Sequence, residues 1–348
     1  MNAAILGGGF IGKVHAYAYA TLPFYSQPVP MDVRVKYMVC AHAETAERAA
    51  ARVPGAIPLT DWRQALADPT VEIVNICTPN DLHCEMLEAA ITAQKHIYCE
   101  KPLVANAEEA ERIAALLPTY RGVSHMAFHT RYFASAMKMK AMIEDGQIGE
   151  VLEFRGCYMQ NSHVDLRRPI RWKNRKSNGG GALADIGSHL IDFADWLAGP
   201  LTEGQAIQRC MTSDADRAED TFLMLWKTAA GAVGSLHVSK AAHGTENTLR
   251  LEIYGTRGAL RFDLDAPHFL DFCDGQSGWT RLAIGNRYTL PDTDFPATKS
   301  GIGWVRAHCT CLADFLRCVA AGRTADNTPD LQRGVEIQRK CEQLKRLA

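Results

Sequence analysis

Lys101, Asp185 and His189 are the residues of this chain best suited to chemistry on a small polar molecule. Lys101 stands in His96-Ile97-Tyr98-Cys99-Glu100-Lys101-Pro102, where a short apolar run delivers it to the carboxyl end of a strand. In an open parallel sheet ligands bind at that end, in the crevice where strand order reverses. Asp185 and His189 are spaced i, i+4 beside Leu190 to Leu197, which has helical spacing, so both side chains are expected on one helix face. An imidazole titrates near neutrality, which suits His189 to removing a hydroxyl proton, with Asp185 orienting it or binding an adjacent hydroxyl. The Lys101 ammonium suits stabilisation of a developing alkoxide, with Glu100 orienting it. Together these are the means to oxidise an alcohol, given a hydride acceptor.

A second pattern points to that acceptor. Gly7-Gly8-Gly9-Phe10-Ile11-Gly12 fits G-x-G-x-x-G at the end of the first apolar strand, and the spacing predicts a helix over Ile11–Tyr19. Gly7 permits the tight turn, Gly9 lets backbone approach a pyrophosphate, and Gly12 lets the helix pack on the sheet. The N–H groups at the helix start, around Phe10 and Ile11, then face the phosphates. The second strand ends Met38-Val39-Cys40-Ala41-His42, so Ala41 and His42 stand where an acid usually meets the adenine ribose. Arg48 lies one to two helical turns on and no basic pair is present, which favours NAD and leaves NADP open. In Cys77-Thr78-Pro79-Asn80-Asp81-Leu82-His83, Pro79 fixes a turn while Thr78 and Asn80 can bond a ribose or cap a helix.

Strand-length apolar runs carry these residues. Ala3–Leu6, Val33–Cys40, Val71–Cys77, Ile97–Cys99 and Val123–Phe128 alternate with helical patterns at Glu44–Arg52, Leu82–Ala93 and Ala107–Leu117, which argues for a parallel sheet covered on both faces. From Val151 on, strands dominate: Val151–Gln160, Gly204–Arg209, Thr221–Trp226, Ala232–Lys240, Thr248–Tyr254 and Ala259–Asp263, with turns between neighbours that suit an antiparallel sheet. Trp304–Ala321 and Leu331–Leu347 read as amphipathic helices that return to the first domain.

With 348 residues, 47% hydrophobic and 22% charged, the chain suits two globular domains. A net charge of −1 offers no footprint for nucleic acid or anionic lipid. No apolar run long enough for a transmembrane helix occurs. The chain enters its first strand without a basic leader, so no signal peptide is expected. Eleven scattered cysteines, an odd count, fit a reduced, cytoplasmic protein, and no metal site is expected from the twelve histidines.

The glycine loop, Thr78-Pro79-Asn80 with His83, Glu100-Lys101-Pro102, and Gly179-Gly180-Gly181-Ala182-Leu183-Ala184-Asp185-Ile186-Gly187-Ser188-His189 together resemble the Gfo/Idh/MocA oxidoreductases. The resemblance spans nearly the whole chain. It implies an N-terminal Rossmann domain over 1–127 and a substrate-binding α/β domain over 128–348, whose large, mostly antiparallel sheet joins a homodimer or homotetramer. The implied reaction moves a hydride between a nicotinamide cofactor and a secondary hydroxyl, or ketone, of a sugar, anhydrosugar or inositol. Lys101, Asp185 and His189 would be the catalytic groups. Trp172 matches a position near the nicotinamide, and His129, Arg131, Tyr158 and His163 are candidate sugar contacts.

Within the family, Gly12-Lys13-Val14-His15-Ala16-Tyr17, the Leu22-Pro23-Phe24 insertion and the Cys40-Ala41 strand end are similar to the levoglucosan and related sugar dehydrogenases, several of which use NAD without the acid. His129 stands where relatives usually have Asn, and Asn161–Ser177 matches no one relative. Two other classes share part of the pattern. One is a glycosidase-like enzyme that oxidises transiently with NAD; the other is a non-catalytic NAD(P)-binding regulator, which tends to lose the lysine or histidine that this chain keeps.

Overall fold

Ala3, Ala4, Ile5 and Leu6 form an unbroken apolar run because their strand, β1 (Asn2–Leu6), is buried on both faces. The computed structural model describes residues 1–26, 28–165, 171–284 and 303–348. Its described residues divide into one unit of Met1–His129 with Trp304–Gln338, and another of residues 130–284 with Arg339–Ala348.

In the first unit β1 joins β2 (Arg34–Val39), β3 (Ile57–Leu59), β4 (Val71–Ile76), β5 (His96–Cys99) and β6 (Ser124–Met126) in a parallel sheet of order β3-β2-β1-β4-β5-β6. Strand order reverses between β1 and β4, which opens a ligand crevice at their carboxyl ends. Helices α1 (Phe10–Tyr25), α2 (Ala43–Ala50), α3 (Trp62–Ala67), α4 (His83–Thr92) and α5 (Ala107–Leu116) connect the strands. The first helix is longer than its sequence suggests. It runs six residues past Tyr19 and holds Pro23 in its last turns, where a missing backbone donor breaks only one bond.

The second unit opens with α6 (Ala134–Glu144) and β7 (Val151–Met159), then α7 (Ser188–Ala198) and β8 (Leu201–Arg209). It continues with β9 (Thr221–Thr228), β10 (Val233–Ser239), β11 (Thr248–Gly255), β12 (Ala259–Asp263), β13 (Phe269–Cys273) and β14 (Trp279–Ala283). Its eight-stranded sheet has the order β14-β13-β12-β11-β7-β10-β9-β8 and is antiparallel except where β7 and β10 run parallel. The expected pairing of a parallel sheet with a mostly antiparallel one is therefore present. Along β9, Phe222, Met224 and Trp226 are buried while Leu223, Leu225 and Lys227 face out. Helices α6 and α7 cover the inner face.

Elements outside the sequence expectation include the short strand β3, the helix α6 and the strands β13 and β14. In α6 small residues and methionines replace a leucine stripe, and β14 with its neighbour β13 carries the Arg281–Asp271 ion pair. Helix α8 (Trp304–Ala321) packs on α1, with Phe315 stacked on Tyr98 at 5.3 Å between ring centres. In α9 (Leu331–Leu347) Gly334 lets the chain approach Met126 and Leu103. All eleven cysteines are free thiols, and no helix among the described residues is long and apolar enough to cross a membrane.

Candidate active site

The glycine loop is shaped by what each missing side chain would strike. Gly7 has φ +107° and a Cβ there would lie 2.5 Å from the Cys77 carbonyl oxygen; one on Gly12 would lie 1.8 Å from that of Gly7. Nothing lies within 4 Å of a Cβ on Gly9. Gly9 is also the N-cap of α1, whose first turn has no side-chain cap and no acidic residue. Open space above an uncapped helix start fits a dinucleotide pyrophosphate. Phe10 is 73% exposed and stacks on Trp304 at 5.8 Å, while Ala41 and His42 lie exposed after β2, with His42 at the N-cap position of α2 but making no side-chain cap bond. Arg48 pairs with Glu44 at 3.8 Å on the surface.

At the end of β5, Glu100 is buried and Lys101 half-buried. Burial alone would raise the Glu100 carboxyl, but the hydrogen bond and charge of His15, with Lys101 and His129 behind them, hold it below its ordinary value. Glu100 Oε2 also accepts the Lys101 backbone N–H at 3.3 Å. Thr78 Oγ1 reaches Met86 Sδ at 3.5 Å, and Asn80 is buried at the turn into α4. The His83 ring lies against the carbonyls of Thr78, Pro102 and Leu103 at 3.0–3.2 Å, and burial lowers its pKa. The ring thus sits between the Thr-Pro-Asn turn and the Lys-Pro turn, and in its neutral form its one N–H donates to a backbone carbonyl on one side only.

In the second unit Asp185 lies in a π-helical turn, Leu183–Gly187, that leads into α7. The Ser188 N–H reaches back to the Leu183 carbonyl, one residue further than an α-helix allows. The i, i+4 spacing therefore spans a π turn and not the regular helix expected from sequence. Wide turns of this kind recur at functional sites. The glycines before it serve packing: a Cβ on Gly180 would meet the Lys173 carbonyl at 2.5 Å, and one on Gly181 the Glu219 carboxylate at 2.4 Å. Glu219 Oε1 in turn accepts the Leu183 N–H at 2.9 Å.

Asp185 Oδ2 accepts a 2.6 Å bond from Lys240 Nζ, and Oδ1 one of 3.4 Å from Lys173 Nζ. His189 is buried, with Nδ1 3.4 Å from Thr130 Oγ1 and its ring centre 6.3 Å from that of Tyr158.

The candidate sugar contacts are placed unequally. Tyr158 donates to Asn247 Oδ1 at 2.9 Å, and Gln160 Nε2 donates to the same atom at 2.8 Å. Burial raises the Tyr158 phenol, and the Asp185 charge raises it further. The Arg131 guanidinium forks onto Asp192 at 2.7 and 2.5 Å, a buried bidentate pair. His163 Nδ1 lies 2.6 Å from Asp220 Oδ1. Burial would raise Asp220, but His163, Arg217 and the Met211 N–H bring it down to about 2. His163 Nδ1 accordingly donates, and Nε2 is buried with no partner among the described residues. His129, in the first unit, stacks on His308 at 3.9 Å; burial, with Lys101 adding to it and Glu100 opposing, lowers it to about 4. Trp172 is half-buried in a short 3₁₀ turn, with Lys173 Nζ 5.4 Å from its ring centre. Residues 166–170 of the Asn161–Ser177 segment lie outside the described residues.

Sequence reasoning missed His15, whose Nδ1 lies 3.2 Å from Asn75 Oδ1, together with Lys240, Asp192 and Asp220, because each acts through a partner far away in the chain. It also passed over an H-x-x-x-H pair, His125 and His129. His125 Nδ1 lies 2.8 Å from the Met126 carbonyl and Nε2 3.4 Å from Asp314, whereas His129 stacks on His308. Among the described residues no cluster suited to a metal occurs.

Comparison with known proteins is consistent along the chain. Residues 1–128 match the family model described as "Oxidoreductase family, NAD-binding Rossmann fold", and residues 136–261 match the GFO/IDH/MocA C-terminal domain. Levoglucosan dehydrogenase of Pseudarthrobacter phenanthrenivorans is 32% identical over 97% of this chain and 93% of its own. Inositol 2-dehydrogenase of Rhizobium meliloti is 28% identical over 91% and 88%. A solved levoglucosan dehydrogenase in complex with NADH and levoglucosan superposes with a TM-score of 0.95 at 31% identity, covering 100% of this chain and 96% of that one.

Proposed function

We propose, since the chain belongs to the Gfo/Idh/MocA family of oxidoreductases and its first 128 residues are that family's NAD-binding Rossmann fold, that it is an NAD-dependent dehydrogenase of a secondary hydroxyl on a sugar, anhydrosugar or inositol. The likeness to levoglucosan dehydrogenase over nearly the full length of both chains carries this reading.

The Gly7–Gly12 loop, the Thr78-Pro79-Asn80 turn and the Glu100-Lys101 strand end would hold NAD, which supplies the acceptor for the hydride when bound. The chain's own groups do the rest. His189, held at Nδ1 by Thr130, takes the hydroxyl proton at Nε2. The Lys101 ammonium stabilises the oxygen as negative charge develops on it. Asp185 binds a neighbouring hydroxyl or orients the reacting one, and Tyr158 and His163 offer further polar contacts. Incubating the protein with levoglucosan, inositols and monosaccharides, each with NAD or NADP, and reading the absorbance of reduced nicotinamide tests the class. NAD reduction by one of them is expected. Hydrolysis of a chromogenic glycoside without added cofactor, and no reduction by any of them, would overturn the reading.

A second copy of the chain is the proposed cover for the outer face of the eight-stranded sheet. Ile207, Leu223, Leu225 and Val233 are 71%, 46%, 59% and 53% exposed there, and Ile207 and Leu223 are paired across β8 and β9. A contiguous apolar corner of this kind marks an interaction surface.

A further inference from the structure

We infer that Lys240 is a positioning residue for the Asp185–His189 pair, an internal cation that neutralises the Asp185 carboxylate and fixes its orientation; the inference rests on the reading of His189 as the base. Lys240 follows directly on β10 and is 2% exposed. Its backbone is pinned on both sides: its N–H donates to the Asp220 carbonyl at 2.8 Å and its carbonyl accepts the His163 N–H at 2.7 Å. From that fixed point the side chain reaches Asp185 Oδ2 at 2.6 Å. An ammonium there has lost nearly all its hydration, and a fold retains one only where an opposite charge compensates it. Lys173, a second cation on Asp185, is about half exposed and screened by solvent, so it cannot replace Lys240.

The pairing bears on proton transfer because of what surrounds His189. Tyr158, from β7, is a neutral phenol whose pKa is raised by burial and then by the Asp185 charge. Thr130 carries no charge, and Asp192 and Arg131 neutralise each other. Asp185 precedes His189 by four residues through the π turn, and its charge also bears on Tyr158, whose ring centre is 6.3 Å from that of His189; Lys240 counters that charge. Without the buried counter-charge of Lys240 the carboxylate would favour the imidazolium more strongly, so the base would be spent as a proton carrier over a wider range of pH.

Histidine-labelled full-length protein tests this by NMR titration of the imidazole, with the His189 signal identified by its loss in His189→Asn. Lys240→Met should raise the His189 midpoint by about one pH unit, and Lys240→Arg, which keeps the charge, should leave it near the wild-type value. A purely structural lysine would not move it. An unchanged midpoint in Lys240→Met, or an equal rise in both variants, overturns the inference. Should Lys240→Met fail to fold, Asp185→Asn is compared with Asp185→Asn combined with Lys240→Met. The single variant leaves the cation unpaired and should titrate lower than the double; equal midpoints overturn the inference. Retention of kcat by His189→Asn would instead sink the base reading, separately from the titration.

Discussion

His15 Nε2 lies 3.2 Å from Glu100 Oε1 inside the first unit, with the two residues 1% and 6% exposed. The same ring places Nδ1 3.2 Å from Cys77 Sγ, and burial keeps that thiol protonated. With Glu100 held ionised, Nε2–H donates to the carboxylate, while Nδ1 lies 3.2 Å from both Cys77 Sγ and Asn75 Oδ1. One imidazole thus joins the nucleotide helix α1 to the ends of β4 and β5, next to Lys101.

Removing that donor should be costly. His15→Phe leaves a buried carboxylate short of a partner, and a loss of about 3–5 kcal/mol in unfolding free energy is expected. Glu100→Gln, which removes the charge as well, should cost about 1–2 kcal/mol. Urea unfolding checks both, and a His15→Phe cost no larger than that of Glu100→Gln contradicts the pairing.

Gly9 and Gly12 should separate binding from folding. Gly9→Ala puts a methyl into open space, so stability should change by less than about 1 kcal/mol while NADH affinity falls about tenfold or more. Gly12→Ala forces a methyl onto the Gly7 carbonyl and should reduce stability as well. Thermal unfolding with NADH fluorescence titration distinguishes them; equal NADH binding by Gly9→Ala and wild type contradicts the assignment of the loop.

His129 makes stability depend on pH with a definite sign. Its pKa falls from 6.5 unfolded to about 4 folded, chiefly through burial. The unfolded chain therefore binds the proton first as pH drops, and stability is lost from about pH 6.5 down to 4. The loss from this one group is about 3 kcal/mol, and His129→Asn should remove it. Denaturant unfolding at pH 7 and pH 4 measures the difference; identical pH dependence in variant and wild type contradicts it.

The outer sheet face predicts an assembly. Leu223→Glu with Leu225→Glu places charge on two exposed positions of β9, so the fold should persist while sedimentation shows a smaller species than wild type. An unchanged mass in the variant, or a monomeric wild type, contradicts that role for the face.

Much of this was legible in the sequence because local geometry demands particular residues. Gly7 and Gly12 are required by backbone contacts under 3 Å, and the unbroken apolar run Ala3–Leu6 of β1 reports burial on both faces. What stayed hidden depends on distant partners. Lys240 ends an ordinary alternating strand, and only folding brings it to Asp185, 55 residues away. The π turn was equally invisible, since Asp185 and His189 keep the same spacing whether the turn is wide or regular. At Gly180 and Gly181 the space a side chain would need is taken by the Lys173 carbonyl and the Glu219 carboxylate, contacts that the glycine run alone does not show.

Steady-state oxidation of a sugar that the wild-type protein accepts, compared among wild type, Lys101→Ala and His189→Asn, tests the central claim most directly. Both variants should lose kcat by roughly 10²- to 10⁴-fold while binding NADH within about threefold of wild type. Wild-type turnover by either variant would contradict the account.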